Sequence, residues 1–252
     1  MPIDPSHVRR LEWKYRVSLE QAARLGQALI PRTEPDAHGG ADGAYSVLSL
    51  YYDTPDLRFY HERKDGAKVR RKLRIRNYGD ELYYLEIKRK IDKEVVKERT
   101  SIHQSQVAGA LNGVDPKVLM AGRPASDLRT LERFRYNMKS LGLVPAVLIG
   151  YRRQALVGKV EPYLRITFDS DLRSRMRPLE QELLAGADLR PFQEGCVLEL
   201  KFDARPPRWW MDLATEFGLR RESYSKYCEG IDSWGIPRPS AADDGPRAAQ
   251  GS

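Results

Sequence analysis

The chain has 252 residues, with 43 Lys and Arg against 35 Asp and Glu, which gives a formal net charge of +8. This length allows one large domain or two small ones with a sizeable core. The charged fraction of 31% and the lack of a bilayer-length apolar run argue against an integral membrane protein. The first residues lack a charged-then-apolar leader, so we expect a cytoplasmic location. The basic balance favours anionic partners.

Alternation of apolar and polar side chains predicts eight strands along the chain. They cover residues 9–17, 45–53, 67–78, 82–90, 95–103, 147–156, 163–172 and 195–203. Three helices are predicted from a capping residue or a proline at the start of an amphipathic segment. Their boundary signals are Ser18 with Gln21, Ser126 with a closing Gly142, and Pro207 with a closing Gly218. A weaker helix is predicted over 105–111.

Two segments lack this periodicity. Residues 31–44 combine Pro, Gly and Asp and predict a loop, whereas 236–252 predict a disordered tail. Many strands with few helices favour an α+β fold built on an antiparallel sheet or a barrel. Cys196 and Cys228 have no C-x-x-C spacing, so we expect buried thiols rather than a disulfide framework.

Basic side chains recur at every second position on one face of several predicted strands. In one strand Lys72, Arg74 and Arg76 share a face. The corresponding faces of other strands carry Glu12 with Lys14, Glu86 with Lys88 and Lys90, Arg165 with Asp169, and Glu199 with Lys201. A single strand of this kind is an ordinary half-buried strand with its charges in water. The recurrence of mostly basic faces across the chain instead predicts that they converge on a shared cavity.

A cavity lined by many cations suits a ligand with several negative charges in a row. Two unit charges about 4 Å apart repel by ~4 kcal/mol at an effective dielectric near 20, so such a cavity needs an anion. Arg offers bidentate donors to phosphate and Lys a point charge, and a glutamate among them suits Mg²⁺ or Mn²⁺. Nucleotide-binding glycine loops and G-x-S-x-G are absent from the sequence, and the histidines lack zinc spacing. The pattern predicts a phosphate-chain site with a divalent metal.

Seven short segments carry a family resemblance. They are residues 10–15 (RLEWKY), 49–55 (SLYYDTP), 72–76 (KLRIR), 85–88 (LEIK), 151–153 (YRR), 198–201 (LELK) and 223–228 (SYSKYC). Together they resemble the VTC domain, the polyphosphate polymerase domain of the vacuolar transporter chaperone complex and a triphosphate tunnel metalloenzyme. The resemblance covers residues 8–232 as one domain. It implies a closed eight-stranded antiparallel β-barrel with flanking helices, whose lumen binds ATP and a growing inorganic polyphosphate chain.

The resemblance also implies roles for individual residues. Catalytic roles on the transferring phosphoryl group are predicted for Arg74, Arg76, Lys88 and Arg153. The resemblance and the basic faces together give the substrate-binding set Lys14, Lys72, Lys90, Arg165, Lys201 and Lys226. The predicted metal ligands are Glu199 and, beside Lys14, Glu12. One departure concerns Ser223, where some family members carry a further lysine; it puts the contacts of the departing chain in doubt.

The predicted activity is phosphotransfer from ATP to inorganic polyphosphate, assisted by Mn²⁺ or Mg²⁺. Three alternatives remain open. The first is a tripolyphosphatase or nucleoside triphosphatase in which a glutamate such as Glu12 activates water, and the second is a non-catalytic module for polyphosphate or inositol pyrophosphates. Nucleic-acid binding is disfavoured, because no aromatic RNA platform or DNA-reading helix is recognisable. The sequence does not reveal a membrane partner or an oligomeric state.

Overall fold

The computed structural model describes residues 10–40, 42–92 and 94–235. Its strands are β1 (Arg10–Val17), β2 (Thr33–Pro35), β3 (Ala44–Asp53), β4 (Val69–Asn77), β5 (Leu82–Ile91), β6 (Glu94–His103), β7 (Val144–Gly158), β8 (Arg165–Met176) and β9 (Arg190–Asp203). Its helices are α1 (Leu19–Leu29), α2 (Arg58–Lys64), α3 (Gln104–Asn112), α4 (Pro116–Leu119), α5 (Ala125–Ser140), α6 (Glu182–Ala185), α7 (Arg208–Glu216) and α8 (Lys226–Asp232).

A single large antiparallel sheet organises the fold. Its hydrogen-bonded order is β1-β9-β8-β7-β3-β4-β5-β6, with the short β2 added to β7. The fold is therefore α+β with flanking helices, as predicted. Between β1 and β6, the two ends of this order, no pairing is found within the described ranges, so the predicted closure of the barrel is not confirmed. None of the helices described is long and apolar enough to cross a membrane.

Helices cover one face of the sheet with apolar side chains. Phe134 of α5 packs with the buried, odd-numbered apolar side chains of β4 and β5, including Leu73 and Leu85. At the other end of the strand order, Trp210 of α7 joins Leu200 of β9 in a second core that also receives α1. Side chains alternate along a strand, so the charged residues next to these apolar ones lie on the opposite face of the sheet. They are the even-numbered charged residues of β4 and β5 and the odd-numbered ones of β9.

The predicted strands and helices are present, but their boundaries differ in places and the short helices α2, α4, α6 and α8 were not predicted. Ser18 caps α1 by accepting the amide of Gln21 at 3.0 Å, as predicted, but the N-cap of α5 is Pro124 rather than Ser126. The predicted loop over 31–44 contains β2, which three residues of pairing with β7 stabilise. Alternation cannot reveal so short a strand. The predicted tail at 236–252 lies outside the described residues.

The charge-bearing strands depend on the core beneath them, and Trp210 gives a direct test. This side chain is fully buried, and its indole nitrogen donates to the Tyr15 hydroxyl at 3.3 Å. We expect Trp210→Ala to lower the free energy of unfolding by about 3–5 kcal/mol, because it leaves a large cavity. Met211→Ala on the same helix, where the side chain is 44% exposed, is the matched control and should change it by less than about 0.5 kcal/mol. Denaturant unfolding measures both, and equal losses would contradict the expected packing.

Candidate functional site

The strand register places charges of opposite sign directly across from one another. The facing pairs are Lys14 with Glu199, Glu12 with Lys201, Arg74 with Glu86, and Arg153 with Asp169. Opposite charges on facing residues stabilise neighbouring strands. Together with Lys72, Arg76 and Lys88, these residues form what we call the basic face of the sheet. On this face the cations outnumber the carboxylates.

Glu199 is the carboxylate with the most cationic neighbours in the part of the chain described. Nitrogen atoms of four side chains lie near its carboxylate oxygens: Lys226 at 2.9 Å, Lys14 at 3.5 Å, Lys201 at 3.6 Å and Arg153 at 3.8 Å. Burial raises the pKa of Glu199, but Lys226 and its other cationic neighbours outweigh burial and hold the pKa well below its usual value. Glu199 is therefore a fixed negative charge at neutral pH.

Asp169 completes this buried network from β8. Arg153 donates two hydrogen bonds to its carboxylate, at 2.7 and 2.8 Å, and the ammonium of Lys226 lies 2.6 Å from the same group. Burial lowers the pKa of Lys226, but Asp169 and Glu199 more than offset that effect and raise it above its ordinary value. Lys226 is therefore a permanent cation that joins α8 to β8 and β9.

A second network surrounds Arg74. Its guanidinium forms an ion pair with Glu86 and donates to the Tyr51 hydroxyl at 3.0 Å. Burial opposes ionisation of Glu86, but Arg74 and Arg76 lower its pKa to about 2. Burial likewise raises the pKa of Tyr51, whereas Arg74, Lys72 and Arg76 together lower it to about 7. The excess of positive charge therefore brings the ionisation of this buried phenol into the neutral pH range.

Burial opposes the charged form of the remaining cations of the basic face, including Lys201, which has carboxylates nearby. Arg76 is buried and donates to the Ser49 hydroxyl at 2.9 Å. The ammonium of Lys72 lies 5.3 Å from the centre of the Tyr51 ring, and burial lowers its pKa to about 8. Burial also lowers the pKa of Lys201 to about 8, although Glu199 acts in the opposite direction. Removing such groups from water without full pairing is unfavourable, so an anion that compensates them would bind well.

Electrostatic coupling shows that the sheet brings distant strands close together. The Lys88 side chain on β5 reaches solvent, but its partial burial lowers its pKa. Two residues of β1 also act on this pKa: Glu12 raises it and Lys14 lowers it. Lys14 likewise contributes to the lowered pKa of Lys72 on β4. β1 lies at one end of the strand order and β4 and β5 near the other. Contacts of α8 span the same strands, because Lys226 pairs with Glu199 of β9 while the ammonium of Lys72 on β4 lies 5.6 Å from the centre of the Tyr227 ring. The sheet therefore curves, and its basic face is concave.

Two predicted substrate-binding residues lie apart from these networks. Arg165 pairs with Asp36 at 2.9 Å and donates to the Tyr45 hydroxyl at 3.2 Å. Lys90 faces Arg70 where β4 begins and β5 ends, far from the turn that joins these strands, and within the described ranges no ion pair or hydrogen bond engages its ammonium. Both residues lie near the ends of charged strands, and neither contacts Glu199.

Helix α8 closes one end of the basic face. Tyr227 packs against Tyr51 with ring centroids 5.2 Å apart, and its hydroxyl donates to the buried carboxylate of Asp53. Gly230 lies against Ile149 of β7, where a Cβ atom would approach the Ile149 side chain to 2.3 Å. These contacts involve the end of β3 and the start of β7. The opposite end, where β3 begins and β4 ends, is what we call the mouth.

The residues near Glu199 are compatible with a divalent cation shared with a phosphate ligand. In the part of the chain described, no group of three or more His, Cys, Asp or Glu side chains is arranged to hold a metal ion. Mg²⁺ is commonly held by only one or two carboxylates together with substrate phosphates. Glu12 and Glu199 both lie near Lys14 and Lys201, and Thr167 faces Glu199 across the strands with a buried hydroxyl that has no hydrogen-bond partner in the described residues. This donor set fits such a cation.

Sequence reasoning did not single out several residues of the site. Asp169 and Glu86 were visible as carboxylates on the basic strands, but their roles as counter-ions depend on strand register. Tyr51 lies in the 49–55 motif, but its contact with Arg74 gave no sequence signal. Ser223 receives a hydrogen bond from Arg63 at 2.7 Å. A cation from α2 therefore lies where some family members carry a lysine.

This architecture is an α+β domain with a concave, cation-lined sheet face. The family model of the VTC domain matches residues 9–235, and the chain belongs to this family. A Hippeastrum protein, HpAC1, for which a dominant triphosphatase activity is reported, is similar with a TM-score of 0.48 and 17% identity over 92% of this chain and 98% of that one. A Pyrococcus horikoshii OT3 protein, PH1819, is similar with a TM-score of 0.44 and 12% identity over 90% of this chain and 99% of that one. No curated protein matches the sequence.

The ionisation of Tyr51 reports the charge of the basic face. We expect one tyrosine to ionise near pH 7, because Arg74 and Lys72 stabilise its phenolate. Ultraviolet difference absorbance against pH, in metal-free buffer, measures it. Tyr51→Phe should abolish this component, whereas Tyr136→Phe at an exposed position should retain it. Added inorganic triphosphate should move the midpoint upward, and an unchanged titration in Tyr51→Phe would contradict the assignment.

The buried network predicts a pH-dependent cost for losing Lys226. Lys226→Met leaves Asp169 and Glu199 facing each other, so we expect the free energy of unfolding to fall by about 3–5 kcal/mol at neutral pH. The folded-state pKa values of both carboxylates are lowered, so their contribution is present at neutral pH and is lost as the pH falls through those values. The deficit should therefore shrink below about pH 4.

Unfolding in metal-free buffer over this pH range measures the effect. Adding Glu199→Gln to Lys226→Met should restore part of the stability, because the repulsion between the Glu199 and Asp169 carboxylates disappears. A deficit that does not depend on pH would show that packing, not charge, fixes Lys226.

Proposed function

We propose that the chain is a polyphosphate polymerase that transfers the γ-phosphate of ATP to a growing inorganic polyphosphate chain. The observation that carries this proposal is the concave basic face, on which cations from β1, β4, β5, β7 and β9 exceed the carboxylates. A linear polyanion matches that excess, because each phosphate brings charge to a separate pair of cations. Membership of the VTC domain family supports the same substrate class.

In the proposed complex, Arg74, Arg76 and Lys88 bind the triphosphate and stabilise the charge on the transferring group. Arg74 and Arg76 have the guanidinium geometry that suits phosphate oxygens. Arg153 is already engaged by Asp169, so it orients the network around Glu199 and acts on the substrate from its remaining edge. Positioning and charge neutralisation are the main requirements of phosphoryl transfer.

The acceptor is the terminal oxygen of the phosphate chain. It attacks the γ-phosphorus, the bond from that phosphorus to the bridging oxygen breaks, and the electron pair leaves with ADP. An ionised phosphate needs no base, whereas an attacking water does. The basic-face carboxylates Glu12, Glu86, Asp169 and Glu199 all have lowered pKa values, which makes them weak bases at neutral pH. Weak basicity of Glu12 is compatible with transfer to phosphate, in which no base is required.

Glu199 and Glu12 are the residues that would hold Mn²⁺ or Mg²⁺. When bound, such an ion supplies charge neutralisation of the triphosphate. Lys14, Lys72, Lys201 and Lys226 serve as cations along the path of the phosphate chain, and Lys90 and Arg165 extend that path at its two ends. Tyr51 keeps its proton in the complex, because phosphate oxygens replace it as the counter-ion of Arg74.

ATP turnover with Mn²⁺ tests the proposal. The purified chain should form long phosphate chains, resolved on a gel, together with ADP. The double variant Arg74→Ala and Arg76→Ala should lower the rate by about 100-fold or more, because preorganised donors to the transferring group are lost. Arg129→Ala, at an exposed position of α5, is the charge-matched control and should retain the rate.

Other products would identify the alternatives. Free phosphate without chains would identify a triphosphatase and overturn the proposal. Unconsumed ATP with tight binding of polyphosphate would indicate a binding module. Salt-sensitive RNA binding that survives loss of both arginines would indicate a nucleic-acid ligand.

A further inference from the structure

Three tyrosines and an arginine lie together at the mouth, and the proposed function gives them no role. Tyr45 is near the start of β3, Tyr78 directly follows β4, and Tyr84 is near the start of β5. The ring centroids are 5.8 Å apart for Tyr45 and Tyr78 and 5.3 Å apart for Tyr78 and Tyr84, in edge-to-face arrangements. The guanidinium of Arg99 lies 3.8 Å from the centre of the Tyr84 ring. We call these four residues the mouth cluster.

The mouth cluster presents flat groups to solvent. All three tyrosines are half-buried, and the Arg99 side chain is 48% exposed. The Arg99 guanidinium covers one face of the Tyr84 ring at van der Waals distance, so the half-exposed guanidinium is itself the flat group open to solvent at this ring face. Nucleobases stack on aromatic rings and on arginine in the same way, and stacking on one ring strengthens binding by about 5- to 150-fold.

Arg76 connects the mouth cluster to the phosphate-binding residues. Its guanidinium lies 5.8 Å from the centre of the Tyr78 ring, while its side chain is buried on the basic face. A phosphate held by Arg76 would therefore lie close to the Tyr78 ring. The remaining phosphates of the same molecule would then point toward Arg74 and α8, since Arg74 precedes Arg76 on β4 and lies closer to that end.

We propose that the mouth cluster is a base-binding subsite that stacks the nucleobase of a nucleoside triphosphate while its phosphates lie on the basic face. This inference rests on the proposed function and deepens it by naming what distinguishes the phosphate donor from the acceptor. Every base has a π face, so the subsite discriminates weakly among bases. It distinguishes a nucleotide from a phosphate chain that has no base.

Calorimetric titration of the full chain with ATP and with inorganic tripolyphosphate, at one fixed Mn²⁺ concentration, tests the subsite. In Tyr78→Leu and Tyr84→Leu, the Kd for ATP should rise about ten-fold or more, while the Kd for tripolyphosphate should stay within about two-fold. Tyr84→Phe keeps the ring and should retain ATP binding. Tyr136→Leu, at an exposed position of α5, is the matched control and should change neither Kd.

The paired ligands separate this inference from the proposed function. Equal weakening of ATP and tripolyphosphate would show that the tyrosines only support the fold, and unchanged ATP binding in both leucine variants would show that no base stacks there. Either result overturns the subsite and leaves phosphate-chain binding in place. Failure of the unaltered chain to bind either ligand would overturn the proposed function and the subsite together.

Discussion

The ion pairing of Glu199 is the interaction on which the rest of the site depends. Its carboxylate comes from β9, and its cationic neighbours come from β1, β7, β9 and α8. Burying any one of these charges alone is strongly unfavourable, so the strands and α8 are stable together only when all of them meet. The same network fixes Lys226 and hence holds α8 against the sheet. Charge balance therefore decides both the local architecture and the surplus of positive charge that remains for a ligand.

The two ends of the positively charged basic face differ in structure. At the α8 end, Tyr227 and Asp53 close the basic face with buried contacts. At the mouth, half-exposed aromatic rings surround the approach to Arg76. A ligand with one flat, weakly charged part and one highly charged part fits this gradient better than a uniform polyanion does. The proposed donor nucleotide has that form, and the phosphate chain is the uniform partner.

Sequence patterns predicted the secondary structure well where a core selects one strand face. The strands carrying Leu73 and Leu200 alternate clearly, because each buries one face against helices. Prediction failed where local signals were weak. Ser126 does not cap α5, since Pro124 with its fixed φ already suits the position before the helix. The helices α2 and α8 were missed because each has only seven residues and lies against strands rather than forming an amphipathic face of its own.

The sequence by itself determined which residue types share a strand face, because alternation depends only on the chain's own geometry. It therefore identified Arg74, Arg76 and Glu199 as members of charged faces, and its motifs indicated the family. Only the tertiary structure decided which charges meet. Register pairs Arg153 with Asp169 and leaves Lys90 without a counter-ion among the described residues, although both cations looked alike in the sequence. The reason is that Coulomb interactions act between strands far apart in the chain, and their distances follow from sheet curvature and pairing, which no local pattern encodes.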